Sequence, residues 1–189
     1  MSGSQILHSE ISKLYKGEVL NFVAITDGAR NIRLRLWKMF GKDVPIILDW
    51  YHLKKKVNEL MSMMGLVKSI KEIHIKFILS LLWEGYLHQA LLYIEKEINP
   101  PKSRMKHQEH LIKYLEKHEK EIIDYKKRQN AGKVIGSGMA ENAVFQVIGR
   151  RQKNQASAWT SSGSKGLAVL KVLQLNNQWD KYWSNKKTA

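Results

Sequence analysis

Two short apolar runs, separated by one amphipathic segment, constrain this chain more than any other feature. The first is Val19-Leu20-Asn21-Phe22-Val23-Ala24-Ile25-Thr26, rich in β-branched residues and ended by Asp27-Gly28. The second, Pro45-Ile46-Ile47-Leu48, ends at Asp49. Residues 29–40 between them read as a helix, closed by Gly41. A strand buried on both faces is near-continuously apolar, so the order is strand, helix, strand within about 30 residues. Strands joined in that way run parallel, with a right-handed crossover. Asp27 and Asp49 then fall at the C-terminal ends of neighbouring strands, the edge where open α/β sheets form sites.

The rest of the chain reads as helix. Ile6, Leu7, Ile11 and Leu14 predict a short amphipathic helix over 5–16, ended by Gly17. From 51 to 129 no segment resembles a strand. Leu53, Val57, Leu60, Met61 and Met64 keep helical spacing, as do Ile75, Ile78, Leu79, Leu82 and Tyr86, and then Leu91, Leu92 and Ile94. Met61, Met63 and Met64 read as core filling. Asn99-Pro100-Pro101 breaks this pattern. One Lys- and Glu-rich helix is predicted over 103–128, carrying Leu111, Tyr114, Leu115, Ile122 and Tyr125. A glycine-punctuated loop over 132–138 precedes a helix whose Glu141, Val144, Phe145 and Ile148 share a face. Residues 153–165 read as a polar loop around Trp159, and a last helix holds Leu167, Leu170, Leu173, Trp179, Tyr182 and Trp183.

Charge narrows the partners. The chain has 32 Lys and Arg against 17 Asp and Glu, a net charge of +15, so a polyanion, nucleic acid first, is the expected partner. A merely basic globular protein has the same balance. No apolar run approaches the roughly 20 residues that span a bilayer, so no membrane partner is expected. The absence of cysteine excludes disulfides and thiolate metal sites.

Three carboxylates stand at element ends or on an apolar helix face: Asp27, Asp49 and Glu141. A carboxylate among core residues is costly unless it is paired or binds a cation. Oxygen ligands on separate rigid elements suit Mg²⁺ or Mn²⁺, and two such ions can drive phosphodiester cleavage. Each acid also has a purely structural explanation. Asp27 before Gly28 is a common turn residue, Asp49 could cap the next helix, and Glu141 could face a helix dipole.

Ile25-Thr26-Asp27-Gly28-Ala29 resembles the strand end around the second catalytic aspartate of DDE-type transposases, in the bacterial insertion-sequence branch related to the Mutator superfamily. Leu48-Asp49-Trp50-Tyr51-His52-Leu53 is similar to that group's Asp/Cys-x-x-His signature. Ile135-Gly136-Ser137-Gly138-Met139-Ala140-Glu141-Asn142, followed by Arg150-Arg151-Gln152-Lys153, resembles the block that carries the catalytic Glu. The similarity spans residues 17–183, and its specificity lies in the order and spacing of these motifs around a helical insertion.

The resemblance implies that Asp27 and Glu141 are catalytic acids binding Mg²⁺ or Mn²⁺, and that Asp49 and His52 are signature residues. A helix-start histidine bonded to Asp49 is the structural alternative for His52. Arg150, Arg151, Lys153 and Trp159 are candidate DNA contacts, through phosphates and stacking, unless they form a solvated surface around a packed Trp. The fold class implied is α/β and predominantly helical, with a partial ribonuclease-H-like core. Residues 1–50 would form the parallel βαβ part, 51–130 an all-helical insertion, and 131–189 the catalytic-Glu helix and C-terminal helix that complete the core. The expected function is DNA transposition, with element ends and target DNA as partners, possible self-association into a homo-oligomer, and a cytoplasmic, nucleoid-associated place in a bacterium. The family's first catalytic Asp lies upstream of the second, but here the only acids before Asp27 are Glu10 and Glu18, in no matching motif. A truncated, catalytically incomplete product is therefore expected, with a non-catalytic DNA-binding remnant as the alternative. An unrelated helical scaffold, with the acids as caps, is the third possibility.

Overall fold

A computed structural model describes residues 22–153 and 158–186, together with residues 9, 11 and 13. The chain forms two compact units, Met1–Ser137 and Gly138–Ala189.

In the first unit, β1 (Ala24–Thr26) and β2 (Ile46–Leu48) pair in parallel, with Ala24 opposite Ile46 and Thr26 opposite Leu48. Helix α1 (Arg30–Phe40) joins them and stops at Gly41, whose φ of 88° suits a residue without a Cβ. The Asp49 N–H donates to the Thr26 carbonyl at 2.7 Å, so pairing continues to the very ends of both strands. Among the described residues the sheet has these two strands only. The first strand is shorter than its apolar run predicts. Phe22 and Val23 lie outside it, Val23 is exposed, and residues 19–21 lie outside the described residues. β2 is buried along its whole length but β1 only at Thr26, so the first run is less covered than its apolar character predicts. Of the helix expected over 5–16, residues 9, 11 and 13 are helical and the others lie outside the described residues.

Five helices follow: α2 (Trp50–Met63), α3 (Lys68–Trp83), α4 (Leu87–Glu97), α5 (Met105–Lys117) and α6 (Tyr125–Asn130). Leu53, Val57, Met61 and Met64 are fully buried at three- and four-residue spacing, and they meet Ile78, Leu82, Ile94, Leu111 and Leu115 in one core. Met63 points outward and is exposed, so it is not core filling. Tyr125 ties this core to the sheet: its hydroxyl donates to the Leu48 carbonyl at 2.8 Å, and its ring packs against Trp50.

The Lys- and Glu-rich segment is not one helix. A single 3₁₀ turn (Lys102–Arg104) leads into α5, which ends at Lys117; a second 3₁₀ turn (Glu119–Glu121) follows, and α6 begins after Asp124, whose side chain accepts the Lys127 N–H at 2.7 Å. The chain leaves the helix because His118 and Glu121 turn inward, leaving them 1% and 7% exposed.

Among the described residues of the second unit, every regular element is helical. Helix α7 (Gly138–Val144) runs into a π turn (Phe145–Gly149) and a short helix α8 (Arg150–Gln152). A Cβ on Gly149 would sit 2.8 Å from the Phe145 ring, so glycine lets that ring lie across the turn. Glu141, Val144, Phe145 and Ile148 are all exposed rather than packed as a buried face. Helix α9 (Ser161–Leu175) starts inside the stretch expected to be a loop, because the Thr160 hydroxyl caps it by accepting the Gly163 N–H at 3.1 Å. Residues 154–157 of that stretch lie outside the described residues. A turn with Asn177 at φ 54° then separates α9 from α10 (Trp179–Lys186), so the final segment is two helices. No helix of the described residues is long and apolar enough to cross a membrane.

Candidate functional site

The edge of the sheet carries two aspartates in opposite circumstances. Asp27 follows β1 and is exposed. Its Oδ1 accepts the Ala29 N–H at 2.9 Å, and the Thr26 hydroxyl accepts the Gly28 N–H at 3.2 Å, so the two side chains fold the strand end into a tight turn. Gly28 takes φ 83°, and a Cβ there would lie 2.6 Å from Cε1 of His118. Both the backbone conformation and the neighbour demand glycine.

Asp49 is 1% exposed. As N-cap of α2, its Oδ1 accepts the N–H groups of Tyr51 (2.7 Å) and His52 (3.1 Å). Its Oδ2 accepts the N–H and hydroxyl of Ser137, at 2.5 and 2.6 Å. Burial pushes the Asp49 carboxyl up, but the Ser137 hydroxyl and the N–H groups of Ser137, His52 and Tyr51 outweigh it and hold the group below the usual aspartate value. Gly136 permits this approach, because a Cβ there would strike the Tyr51 ring at 2.6 Å. With both oxygens occupied, Asp49 joins the 132–138 loop to the start of α2.

His52 sits one turn into α2. Its ring Nδ1 is buried, has no hydrogen-bond partner among the described residues and lies 3.6 Å from Asp49 Oδ1, too far for a hydrogen bond. The bond to Asp49 runs instead through the His52 main chain.

A third group of residues went unseen in the sequence. Glu121 Oε1 meets Arg33 Nη2 at 2.5 Å, and Glu121 Oε2 meets His118 Nδ1 at 2.6 Å. Tyr114 packs on the His118 ring, with centroids 4.8 Å apart. Burial, followed by the charges of Glu121 and Asp27, pushes the Tyr114 hydroxyl up to about 12. His-x-x-Glu at 118–121 is an ordinary spacing in a Lys- and Glu-rich stretch, and Arg33 lies 85 residues from His118. No local signal connects them.

The second unit holds the remaining predicted residues. Glu141 is exposed on α7, Arg150 and Lys153 are exposed around α8, Arg151 lies within α8, and Trp159 is exposed just before α9. A hollow of about 380 Å³ is lined by Ala140, Glu141, Val144, Phe145, Gly149 and Lys153. It is chiefly apolar, with one acid and one base at its margin. Gln152 and Ser164 bond reciprocally, Nε2 to the Ser164 carbonyl at 2.9 Å and the Ser164 hydroxyl to Oε1 at 2.5 Å, which fastens α8 to α9.

Fold and site together define a predominantly helical protein built beside a short parallel βαβ unit, with one exposed and one saturated carboxylate at its strand ends. No family model, curated protein or solved structure matches the chain.

Proposed function

We propose that this protein acts in DNA transposition as a DDE-type, ribonuclease-H-like phosphoryl-transfer protein, with Asp27 and Glu141 as metal-binding acids. The observation that carries this is the contrast at the sheet edge. Asp27 is exposed and uses one oxygen in a turn, whereas both oxygens of Asp49 are saturated by four donors. Asp27 therefore keeps an oxygen open to a hard cation, while Asp49 is already held by four donors, in keeping with a structural role for the Asp-x-x-His segment. A bound Mg²⁺ or Mn²⁺ supplies positive charge to the transition state of phosphodiester cleavage. The chain contributes a rigid strand-end turn to hold the Asp27 carboxylate and, in Arg150, Lys153 and Trp159, exposed groups for phosphates and bases. Element ends and target DNA are the substrates of this function.

A second function, DNA binding without catalysis, is favoured by the net charge of +15, which suits a polyanion whether or not a metal is held. Mn²⁺ titration and nicking of supercoiled DNA separate the two. Mn²⁺ binding lost in both Asp27→Ala and Glu141→Ala, with wild-type nicking, supports the transposase. DNA binding that survives both changes, with neither Mn²⁺ binding nor nicking in the wild type, supports the non-catalytic protein.

A further inference from the structure

The buried cluster of Arg33, His118 and Glu121 touches the Asp27 turn from two sides. His118 lies beneath Gly28: a Cβ at that glycine would be 2.6 Å from Cε1 and 3.1 Å from Nε2. Arg33 stands on α1, six positions after Asp27 (33 − 27), and its guanidinium meets Glu121 at 2.5 Å. Glu121 joins these two contacts, because its other oxygen takes His118 Nδ1 at 2.6 Å. Arg33 Nη2 also lies 3.4 Å from the same Nδ1, so the guanidinium, the carboxylate and the ring meet at one point, and Nε2 is on the side facing Gly28. His118 and Glu121 are 1% and 7% exposed, so their mutual contact is shielded from water, while Arg33 reaches it from a partly exposed position. Tyr114 packs on the ring and lies close enough to Asp27 to feel its charge.

The inner ends of α5 and its following turn thus grip both limbs of the loop that presents Asp27. The end of β2 supports the Gly28 limb as well, since a Cβ there would lie 3.0 Å from Leu48 Cδ1. We infer that His118 and Glu121 are positioning residues for Asp27, acting through Gly28 and Arg33, so that the helical segment sets the place of the carboxylate at the sheet edge. The consequence for metal binding rests on the function proposed above; the consequence for loop geometry does not.

The test combines backbone NMR with Mn²⁺ titration of the full chain. In His118→Ala the ring beneath Gly28 is gone, and in Glu121→Gln the shape stays but the charge joining Arg33 to His118 is lost. The amide signals of Asp27, Gly28 and Ala29 are expected to shift in both, while those of Leu53, Val57 and Ile78 stay in place. The Mn²⁺ dissociation constant is expected to rise about 10–100-fold, as when a group that orients a ligand is removed. A change that merely loosened the fold would not weaken Mn²⁺ binding in a chain whose core signals are intact. If His118→Ala fails to fold, Glu121→Gln, nearly isosteric, decides alone. Folded variants with unmoved Asp27, Gly28 and Ala29 signals overturn the proposal. Shifted loop signals in a wild-type chain that binds no Mn²⁺ support the positioning role and instead remove the metal from Asp27.

Discussion

Asp49 shows how one side chain can be charged, buried and structural at once. Its four donors include two main-chain N–H groups at a helix start, where partial positive charge accumulates. Removing the Ser137 hydroxyl by Ser137→Ala leaves three donors, and the expected loss is about 1–3 kcal/mol near neutral pH, the range for a hydrogen bond to a buried charge. The pH dependence follows from the depressed Asp49 value. The unfolded chain takes up the proton first as pH falls, so the stabilisation is complete above about pH 4 and is lost as pH drops through the folded-state value. Denaturant midpoints of wild type and Ser137→Ala should therefore differ at pH 7 and converge at low pH; a gap that persists in acid would assign the effect to packing instead. Gly28 offers a second residue-scale check. Gly28→Ala forces a Cβ both into positive φ and against the His118 ring, and the expected cost is about 2–4 kcal/mol. A cost within a few tenths of that for an exposed Gly→Ala, such as at Gly132, would show that the turn is not held as described.

At the scale of elements, the helices were legible wherever apolar spacing alone decides. Leu53, Val57 and Met61 sit inward at the positions their periodicity predicts, and α1 and β2 begin and end within two residues of expectation. Boundaries set by side-chain caps were not equally legible. The Ser- and Gly-rich start of α9 reads as a loop on propensity, yet Thr160 caps it; the break at His118 carries no Pro or Gly, and its cause is burial against distant residues. Gln108 illustrates a further link that periodicity does not reveal. It is buried, and its amide donates to the carbonyls of Ile94 and Ile98, at 2.7 and 2.8 Å, satisfying the end of α4 from α5. Gln108→Met keeps the bulk and leaves both carbonyls without that donor, so thermal unfolding should report a loss of about 1–3 kcal/mol. A stability unchanged or raised by Gln108→Met would mean that those carbonyls find other partners.

At the scale of the whole molecule, the balance of charge carries the prediction. With +15 net charge, binding to random-sequence duplex DNA should weaken by about 10³-fold or more between about 50 and 200 mM salt, if about six phosphates are neutralised. Lys153→Ala should reduce the steepness of that salt dependence by about one counterion if its exposed side chain meets a phosphate. Affinity flat across the salt series would remove DNA from the partners. Composition alone determined the +15 charge on which that expectation rests, and local pattern determined the parallel βαβ order that brings Asp27 and Asp49 to neighbouring strand ends, because charge sums along a chain and periodicity acts over a few residues. Only the tertiary structure decided which aspartate stays open and which is saturated, since Ser137 reaches Asp49 across 88 positions. It likewise brought His118 and Glu121 to Gly28 and Arg33. Contacts of that range depend on how separate elements pack, and no spacing within a single element encodes them.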